Sequence, residues 1–225
     1  MPIKNYEGNT FVAYLDICGF KALMRSEQKA WTALDKLYTY GYQALKQFKN
    51  QAKIEGVFVS DCGILFVRKP CIDNTLTSPE TALHPLLSVI RAINRNMLNN
   101  DFMLTTSIAY GPFKYQKRIE FVGIEKNPIY GNAYVSAYFD CENGLPKIQP
   151  GQCRLIKGSF PEGYDMESLN NGQFSGLLRE KPGDAKHYYF YWMRNYPEEI
   201  DTFEEIYQDA YNLKYQGMLK ALKGC

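Results

Sequence analysis

Two aspartates in this chain have the sequence context of a paired metal-binding site. Asp16 follows the apolar run at residues 11–15, whose β-branched and aromatic members predict a buried strand. Asp61 lies between the apolar runs at 57–59 and 64–67, a pattern that predicts a tight β-hairpin with the carboxylate at its tip. Two carboxylates held close together repel each other, which raises the pKa of one of them. A pair of Mg²⁺ or Mn²⁺ ions would remove that conflict and activate a hydroxyl for attack on a phosphate.

Each aspartate also has a simpler interpretation: Asp16 would cap the helix that follows, and Asp61 would suit an ordinary turn. Other catalytic chemistries have less support. The six cysteines are scattered without a CxxC pair, and His84 and His187 are the only histidines. Neither a zinc site nor a Ser-His-Asp triad is therefore indicated.

Composition narrows the class of protein. The 225 residues are 45% hydrophobic and 22% charged, which suits a globular protein, and the net charge of +2 argues against a general DNA or RNA binder. No apolar run approaches the roughly 20 residues of a membrane-spanning helix. The N-terminus has no hydrophobic signal core. We expect one cytoplasmic domain over 1–225 with no membrane partner.

Hydrophobic periodicity predicts the elements that would position the two aspartates. The predicted helices cover residues 28 to about 51, a stretch beginning between Pro79 and Pro85, 133–142, and 203–222 within an appended C-terminal element at about 197–222. The expected buried stripe of the first is Trp31, Leu34, Tyr38, Tyr42 or Gly41, Leu45 and Phe48, and that of the second is Leu86, Ile90, Ile93 and Met97. Further strands are predicted at 103–109 (closed by Tyr110-Gly111-Pro112), 118–123 and 188–193, with a loop at 69–79.

The resulting order, β-α-β-β-α-β followed by further elements, is the ferredoxin-like or split-βαβ plan. It predicts an α+β fold in which helices cover one face of a mainly antiparallel sheet. The other face would be solvated or available to a partner. In this plan the first strand lies beside the hairpin, so that the end of the strand and the hairpin tip are neighbours.

Five segments in order resemble class III nucleotidyl cyclase catalytic domains. FVAYLDICGF at 11–20 resembles the family's opening strand, and VFVSDCGILFV at 57–67 resembles its aspartate-bearing hairpin. TTSIAYG at 105–111 resembles the later Gly-Ile strand, and IYGNAYVSA at 129–137 resembles the Trp-Gly-x-x-Val-Asn helix. EKPGDAKHYYF at 180–190 is similar to the turn before the late strand. Each match is weak alone, whereas the ordered set with both aspartates is fairly specific.

The resemblance implies a class III cyclase fold and a role for several residues. Asp16 and Asp61 would bind both metal ions, and the carbonyl of Ile17 would complete one site. Backbone amides at the following helix start would receive phosphate oxygens, namely those of Cys18, Gly19 and Phe20. The cofactors implied are two divalent ions, Mg²⁺ or Mn²⁺.

The same resemblance implies a reaction and an assembly. The ribose 3′-oxygen of a nucleoside triphosphate would attack the α-phosphate and release pyrophosphate. The family forms head-to-tail dimers with active sites between protomers, which implies a homodimer. Lys181 or Lys186 would reach the triphosphate from the partner subunit.

Departures from the family pattern bear on the substrate. By simple counting, the transition-state Asn and Arg fall at Val135 and Phe139, neither of which can donate a hydrogen bond to phosphate. The usual Arg at the start of the Gly-Ile strand falls at Thr105. The two base-reading positions of the pocket are Val57 and Pro128. The standard reader of adenine or guanine is therefore absent.

Two explanations remain open. The chain resembles the bacterial pyrimidine cyclases of Pycsar antiphage systems, which implies a cytoplasmic enzyme making cyclic UMP or cyclic CMP for a separate effector protein. Alternatively, it is a catalytically degenerate cyclase-fold regulator that binds nucleotide without turnover. A protein-interaction module is a third, less supported class. Other basic groups that could supply the missing charge are Arg118, Arg154 and Lys157, and an aromatic that could stack on a pyrimidine is one of Tyr38, Tyr40 and Tyr42.

Overall fold

A computed structural model describes residues 3–49, 53–68, 79–121, 124–126, 128–161, 164 and 172–224. The first half of the chain has the predicted order of elements. These are β1 (Tyr6–Ile17), α1 (Phe20–Leu23), α2 (Glu27–Gln47), β2 (Ile54–Val59), β3 (Cys62–Val67), α3 (Pro79–Asn99) and β4 (Leu104–Tyr115). The second half contains β5 (Arg118–Phe121), β6 (Ile124–Lys126), β7 (Ile129–Tyr130), α4 (Asn132–Asn143), β8 (Cys153–Ile156), β9 (Leu178–Lys181), β10 (Asp184–Phe190), α5 (Ile200–Asn212) and α6 (Tyr215–Lys223).

The central sheet has the strand order β2-β3-β1-β4-β8-β10-β9, with β7 beside the far end of β4. All of its pairings are antiparallel except that of β4 with β8. A separate two-stranded sheet consists of β5 and β6. The predicted α+β, mainly antiparallel architecture is confirmed. Within the part of the chain that the structure describes, no helix is long and apolar enough to cross a bilayer.

Helices lie on both faces of the sheet, whereas the sequence predicted one covered face. The main core lies between the sheet and helices α2, α3, α5 and α6. A second apolar cluster lies on the opposite face, which we call the ventral face, where Ala133 and Ala137 of α4 pack against Val12 and Tyr14 of β1. The small alanine side chains let α4 approach the strands closely, so the ventral face is only partly open.

The buried stripe of α2 is offset from the predicted one. Trp31 and Tyr42 are both 66% exposed and Tyr38 is 43% exposed, whereas the predicted Leu34, Leu45 and Phe48 do pack, partly buried, against the main core. The fully buried residues, which include the predicted alternative Gly41, are Ala30, Ala33, Leu37, Gly41 and Ala44. At Gly41 a Cβ atom would lie 2.2 Å from Cζ of Phe58, so the ring of Phe58 occupies the space that a side chain would need. The stripe predicted for α3, by contrast, is fully buried.

Other elements differ in length from the predictions. β4 continues through Gly111 and Pro112 because both pair with β1, so the Tyr-Gly-Pro segment does not close it. The predicted C-terminal helix is two helices separated at Lys214, whose φ of 88° interrupts helical backbone. The short strands β6, β7, β8 and β9 were not predicted. Most of the predicted loop at 69–79 lies outside the described residues.

Candidate active site

The two aspartates are brought together by the pairing of β1 with β3. The hairpin between β2 and β3 turns through Ser60, with φ of 53°, and Asp61. The backbone N–H of Ile17 donates to the carbonyl of Asp61 at 3.0 Å. Asp16 lies opposite Cys62 in the antiparallel register. Backbone hydrogen bonds therefore set the end of the first strand against the hairpin tip, as the sequence analysis expected.

Ionisation of Asp16 is opposed by its surroundings. Burial, together with the nearby charges of Asp61 and Glu142, raises the pKa of the Asp16 carboxyl to about 7. Burial is the larger cause, while repulsion by Asp61 is the effect that the sequence predicted. A divalent cation at this point would favour the carboxylate form, because its charge offsets both the burial and the repulsion.

Glu142 is an acidic neighbour that the sequence analysis missed. It lies in the last turn of α4, on the ventral face, and is exposed. The preceding Cys141 donates from Sγ to the carbonyl of Tyr14 at 3.8 Å, which fixes this turn of α4 against the strand that carries Asp16. No local sequence signal identifies Glu142, since its position depends on how α4 crosses the sheet.

The donor set suits hard cations bound together with a substrate. Within the described ranges, no group of three or more His, Cys, Asp or Glu side chains could hold a metal ion by itself. Two carboxylates and one backbone carbonyl leave coordination positions open, and Mg²⁺ commonly fills such positions with water and phosphate oxygens. Asp16, Asp61 and the carbonyl of Ile17 therefore fit Mg²⁺ or Mn²⁺ carried with a polyphosphate.

Two of the three proposed phosphate-binding amides remain available. The N–H of Cys18 donates to the carbonyl of Met103 at 2.9 Å, so it is already committed, which corrects the expectation for this residue. Gly19, with φ of 70°, precedes α1, and Phe20 begins it. Among the described residues, neither of their N–H groups has a hydrogen-bond partner. Gly19 is exposed, which leaves its amide accessible to a ligand.

The two candidate lysines lie away from Asp16 within one chain. Lys181 is in β9, at the far edge of the sheet, and its Nζ lies 2.8 Å from Oε1 of Glu204. Lys186 is exposed on β10. β10 and β9 are three and four strands from β1, at about 4.8 Å per strand, so both lysines lie well away from Asp16 of their own chain.

The positions that depart from the family pattern lie mostly on the ventral face. Val57 is half-buried and packs on the same apolar cluster as Ile129, the residue after Pro128. On α4, Val135 is 41% and Phe139 is 54% exposed. Thr105 lies opposite Asp16 in the register of β1 and β4. Val57, Val135 and Phe139 thus place apolar side chains where the family pattern has hydrogen-bonding groups.

Comparison with known proteins gives similarity at the level of structure. No family profile and no curated protein matches the sequence. The guanylate cyclase domain of RhGC from Catenaria anguillulae, solved with GTP, superposes with a TM-score of 0.57 at 14% identity, covering 84% of this chain and 98% of that one. The adenylyl cyclase CyaB from P. aeruginosa superposes with a TM-score of 0.54 at 13% identity, covering 83% and 94%.

This chain has the class III cyclase fold. A rhodopsin-guanylyl cyclase catalytic core with converted specificity, solved with ATPalphaS, also superposes, with a TM-score of 0.54 at 14% identity over 83% of this chain and 96% of that one. These relatives are adenylyl and guanylyl cyclase domains, and at such identities the likeness establishes the fold.

Of the three other residues considered as sources of positive charge, Arg154 and Lys157 are both engaged in ion pairs. Arg154 is fully buried and pairs with Asp140 at 2.7 Å, so it is not the surface group that its position near a strand end suggested. Lys157 pairs with Glu180. The side chain of Arg118 lies outside the described residues. Of the tyrosines considered for base stacking, Tyr40 packs on the main core and accepts a hydrogen bond from Asn100.

Asp16→Asn is expected to stabilise the metal-free protein as the pH rises. In the wild type, the carboxyl stays protonated in the folded chain up to a pKa of about 7 but ionises in the unfolded chain above 3.8. Stability should therefore fall between pH 4 and 7. The Asp16→Asn variant has no carboxyl to titrate at this position. At pH 8 its free energy of unfolding should exceed that of the wild type by about 1–2 kcal/mol, after allowance for partial exposure.

The measurement is thermal unfolding at pH 4 to 8 with a chelator. Added Mn²⁺ should raise the melting temperature of the wild type more than that of the variant. If the melting temperatures of the wild type and the variant change equally with pH, the loss of stability does not come from Asp16.

Proposed function

We propose that this protein is a nucleotidyl cyclase that converts a nucleoside triphosphate to the 3′,5′-cyclic monophosphate and pyrophosphate. The observation that carries the proposal is the placement of Asp16 beside Asp61, by backbone pairing, in a class III cyclase fold. Two neighbouring carboxylates that can hold divalent cations suit an in-line displacement at a phosphate.

In this reaction the 3′-oxygen of the ribose forms a bond to the α-phosphorus, and the bond from that phosphorus to the bridging oxygen breaks. The proton of the 3′-hydroxyl is lost, and pyrophosphate leaves. Bound divalent ions would lower the pKa of the hydroxyl and neutralise the leaving group. Asp16 and Asp61 would hold the ions, and the amides of Gly19 and Phe20 would orient phosphate oxygens.

A homodimer is part of the proposal. Val135 and Phe139 are exposed apolar side chains at the α4 positions that face the partner's site in the resembling family. Burying them in an interface would remove apolar surface from water. The active site would then combine Asp16 and Asp61 of one subunit with α4 and a lysine of the other.

The proposed substrate is a pyrimidine triphosphate, UTP first and CTP next. Val57 has an apolar side chain, and Pro128 has neither a charged side chain nor a backbone N–H. A pocket with these residues lacks the hydrogen-bonding pair that would recognise a purine edge, and a smaller base suits it better. The proposed product is a cytoplasmic second messenger in antiphage defence, detected by a separate effector protein.

Incubation of the purified protein with Mn²⁺ and each of the four ribonucleoside triphosphates separately, followed by mass spectrometry, tests the proposal. A cyclic pyrimidine product would support both the reaction and the base class. A cyclic purine would support the enzyme and refute the assignment of Val57. If a dimer binds a nucleotide and forms no product with any of the four, the cyclase proposal fails.

Val57→Lys alone is not expected to create an adenylate cyclase, because its companion position is Pro128. The lysine would add one donor on β2 and leave the second base contact missing. Cyclic AMP production by the variant, measured against that of the wild type, checks this. A gain of adenylate cyclase activity approaching the rate with the native substrate would show that one position suffices.

The second candidate is a nucleotide-binding regulator without turnover. Val135 and Phe139 favour this candidate, because neither side chain can donate a hydrogen bond to the transition state. Loss of a single preorganised donor can raise the activation free energy of a catalytic site by about 3 kcal/mol. Calorimetry would then detect nucleotide binding to the protein without pyrophosphate release.

A further inference from the structure

A buried polar network joins α4 to the sheet. Asp140 of α4 is 8% exposed, Arg154 of β8 is 0% and His187 of β10 is 3%. Arg154 donates to both carboxylate oxygens of Asp140, from Nε at 2.8 Å and from Nη2 at 2.7 Å. Ser107 of β4 donates to the same carboxylate at 2.6 Å. One helical side chain is thereby bound to three strands of the sheet, because His187 Nε2 also lies 3.0 Å from Asp140 Oδ1.

His187 lies between two carboxylates. Its Nδ1 is 2.8 Å from Oδ2 of Asp184, opposite the contact of Nε2 with Asp140. Ionised carboxylates only accept hydrogen bonds, so both ring nitrogens donate only when the ring is an imidazolium. Tyr189 and the backbone N–H of Lys186 also donate to Asp184, at 2.7 and 3.0 Å, which favours its ionised form.

The charges of this network balance only with a protonated histidine. Asp140 and Asp184 carry two negative charges, and Arg154 and the His187 imidazolium carry two positive ones. Burial alone would raise the pKa of Asp140, but hydrogen bonds from His187, Arg154 and Ser107 outweigh it and lower the pKa to about 2. A neutral ring would leave an uncompensated negative charge and a nitrogen lone pair facing a carboxylate, both unfavourable at low dielectric.

The network contacts the turn of α4 that lies nearest the candidate site. Phe139, immediately before Asp140, is exposed on the ventral face. Cys141 donates to the carbonyl of Tyr14, two residues before Asp16, and the charge of Glu142 acts on Asp16. A shift of Asp140 would therefore move Glu142, which acts on Asp16 of the same chain, and Phe139, which faces the partner's site in the proposed dimer.

We propose that His187 and Arg154 are positioning residues that hold the last turn of α4 beside the Asp16 site of the same chain, through their contacts with Asp140. This rests on the proposed function for its catalytic readout. The charged and polar groups that contact His187 are Asp140 on α4 and Asp184 and Tyr189 on β10, and Arg154 on β8 binds the same Asp140 carboxylate.

The test combines NMR spectroscopy with steady-state kinetics on the full chain. His187→Gln should shift the amide signals of Phe139 and Glu142, whereas the control His84→Gln, at the only other histidine, should leave them at the wild-type positions. His187→Gln should lower kcat about tenfold and leave the KM for nucleotide within about twofold, while His84→Gln keeps the wild-type values of both.

The outcomes separate the two proposals. Wild-type amide signals of α4 in folded His187→Gln overturn the positioning role whether or not the protein is an enzyme. Wild-type kcat in folded His187→Gln overturns it while the cyclase proposal stands. If no nucleotide is turned over, the proposed function fails, and the amide signals of α4 still decide the positioning role.

Discussion

Alanine at either Asp16 or Asp61 is expected to abolish nucleotide turnover and leave the fold intact. Each variant removes half of the carboxylate set at the end of β1 and the tip of the β2–β3 hairpin, while the backbone hydrogen bond that joins these segments does not depend on either side chain. We expect kcat/KM to fall at least about 1,000-fold, about 4 kcal/mol of transition-state stabilisation. Release of pyrophosphate, followed with the triphosphate that the wild type prefers, measures the effect.

Asp209→Ala provides the matched control. Asp209 is an exposed aspartate on α5, and its removal changes the net charge by the same amount. It should keep wild-type turnover, and circular dichroism should show the same helix and strand content in all three variants. Turnover by the Asp16 or Asp61 variant at the rate of the Asp209 variant would refute the two-metal assignment.

Arg154→Met is expected to lower the free energy of unfolding more than any other single substitution proposed for this chain. The substitution leaves the buried carboxylate of Asp140 with no guanidinium partner, and it also removes the hydrogen bond from Arg154 Nη1 to the carbonyl of Pro146 at 2.6 Å. Breaking a buried ion pair from one side typically costs about 3–5 kcal/mol, because the remaining charge is uncompensated. The free energy of unfolding in urea, from the shift of the midpoint at a constant slope, gives the value.

Two further variants separate burial from the loss of an arginine. Arg179 pairs with Asp201, whose side chain is 85% exposed, and it also donates to the carbonyls of Gly176 and Pro197. Arg179→Met removes no partner of a buried charge, so it should cost about 1–2 kcal/mol, less than Arg154→Met. Pairing Arg154→Met with Asp140→Leu should recover part of the loss, since apolar replacements can fill the site of a buried ion pair. Equal destabilisation by Arg154→Met and Arg179→Met would mean that Asp140 does not depend on its partner.

Local patterns were sufficient for the part of the fold that carries the aspartates. The alternation of apolar and turn residues around Asp61 predicts the hairpin, and the run before Asp16 predicts β1, because both depend on neighbours in sequence. The split-βαβ order predicts that the first strand lies beside the hairpin, and the structure adds the register that sets Asp16 opposite Cys62. The offset of the α2 stripe could not be predicted, since it depends on the ring of Phe58 filling the space at Gly41.

The surroundings of the site depend on contacts that are distant in sequence. The N–H of Cys18 is occupied by the carbonyl of Met103, a residue of the opposite strand end, and Glu142 approaches Asp16 only because α4 crosses the ventral face. Arg154 lies near a strand end, which ordinarily indicates a surface position. Only the tertiary structure shows that Asp140 and His187 enclose it in the interior.

The two tryptophans of this chain differ in environment, which gives the protein an internal optical probe. Trp31 is 66% exposed on α2, while Trp192 is 1% exposed and donates from Nε1 to the carbonyl of Gly151 at 2.7 Å. Emission from Trp31 should therefore be red-shifted and readily quenched by iodide, and that from Trp192 should be blue-shifted and protected. With Trp31→Phe, the remaining fluorescence would report on the interior alone, so that unfolding can be followed without an added label.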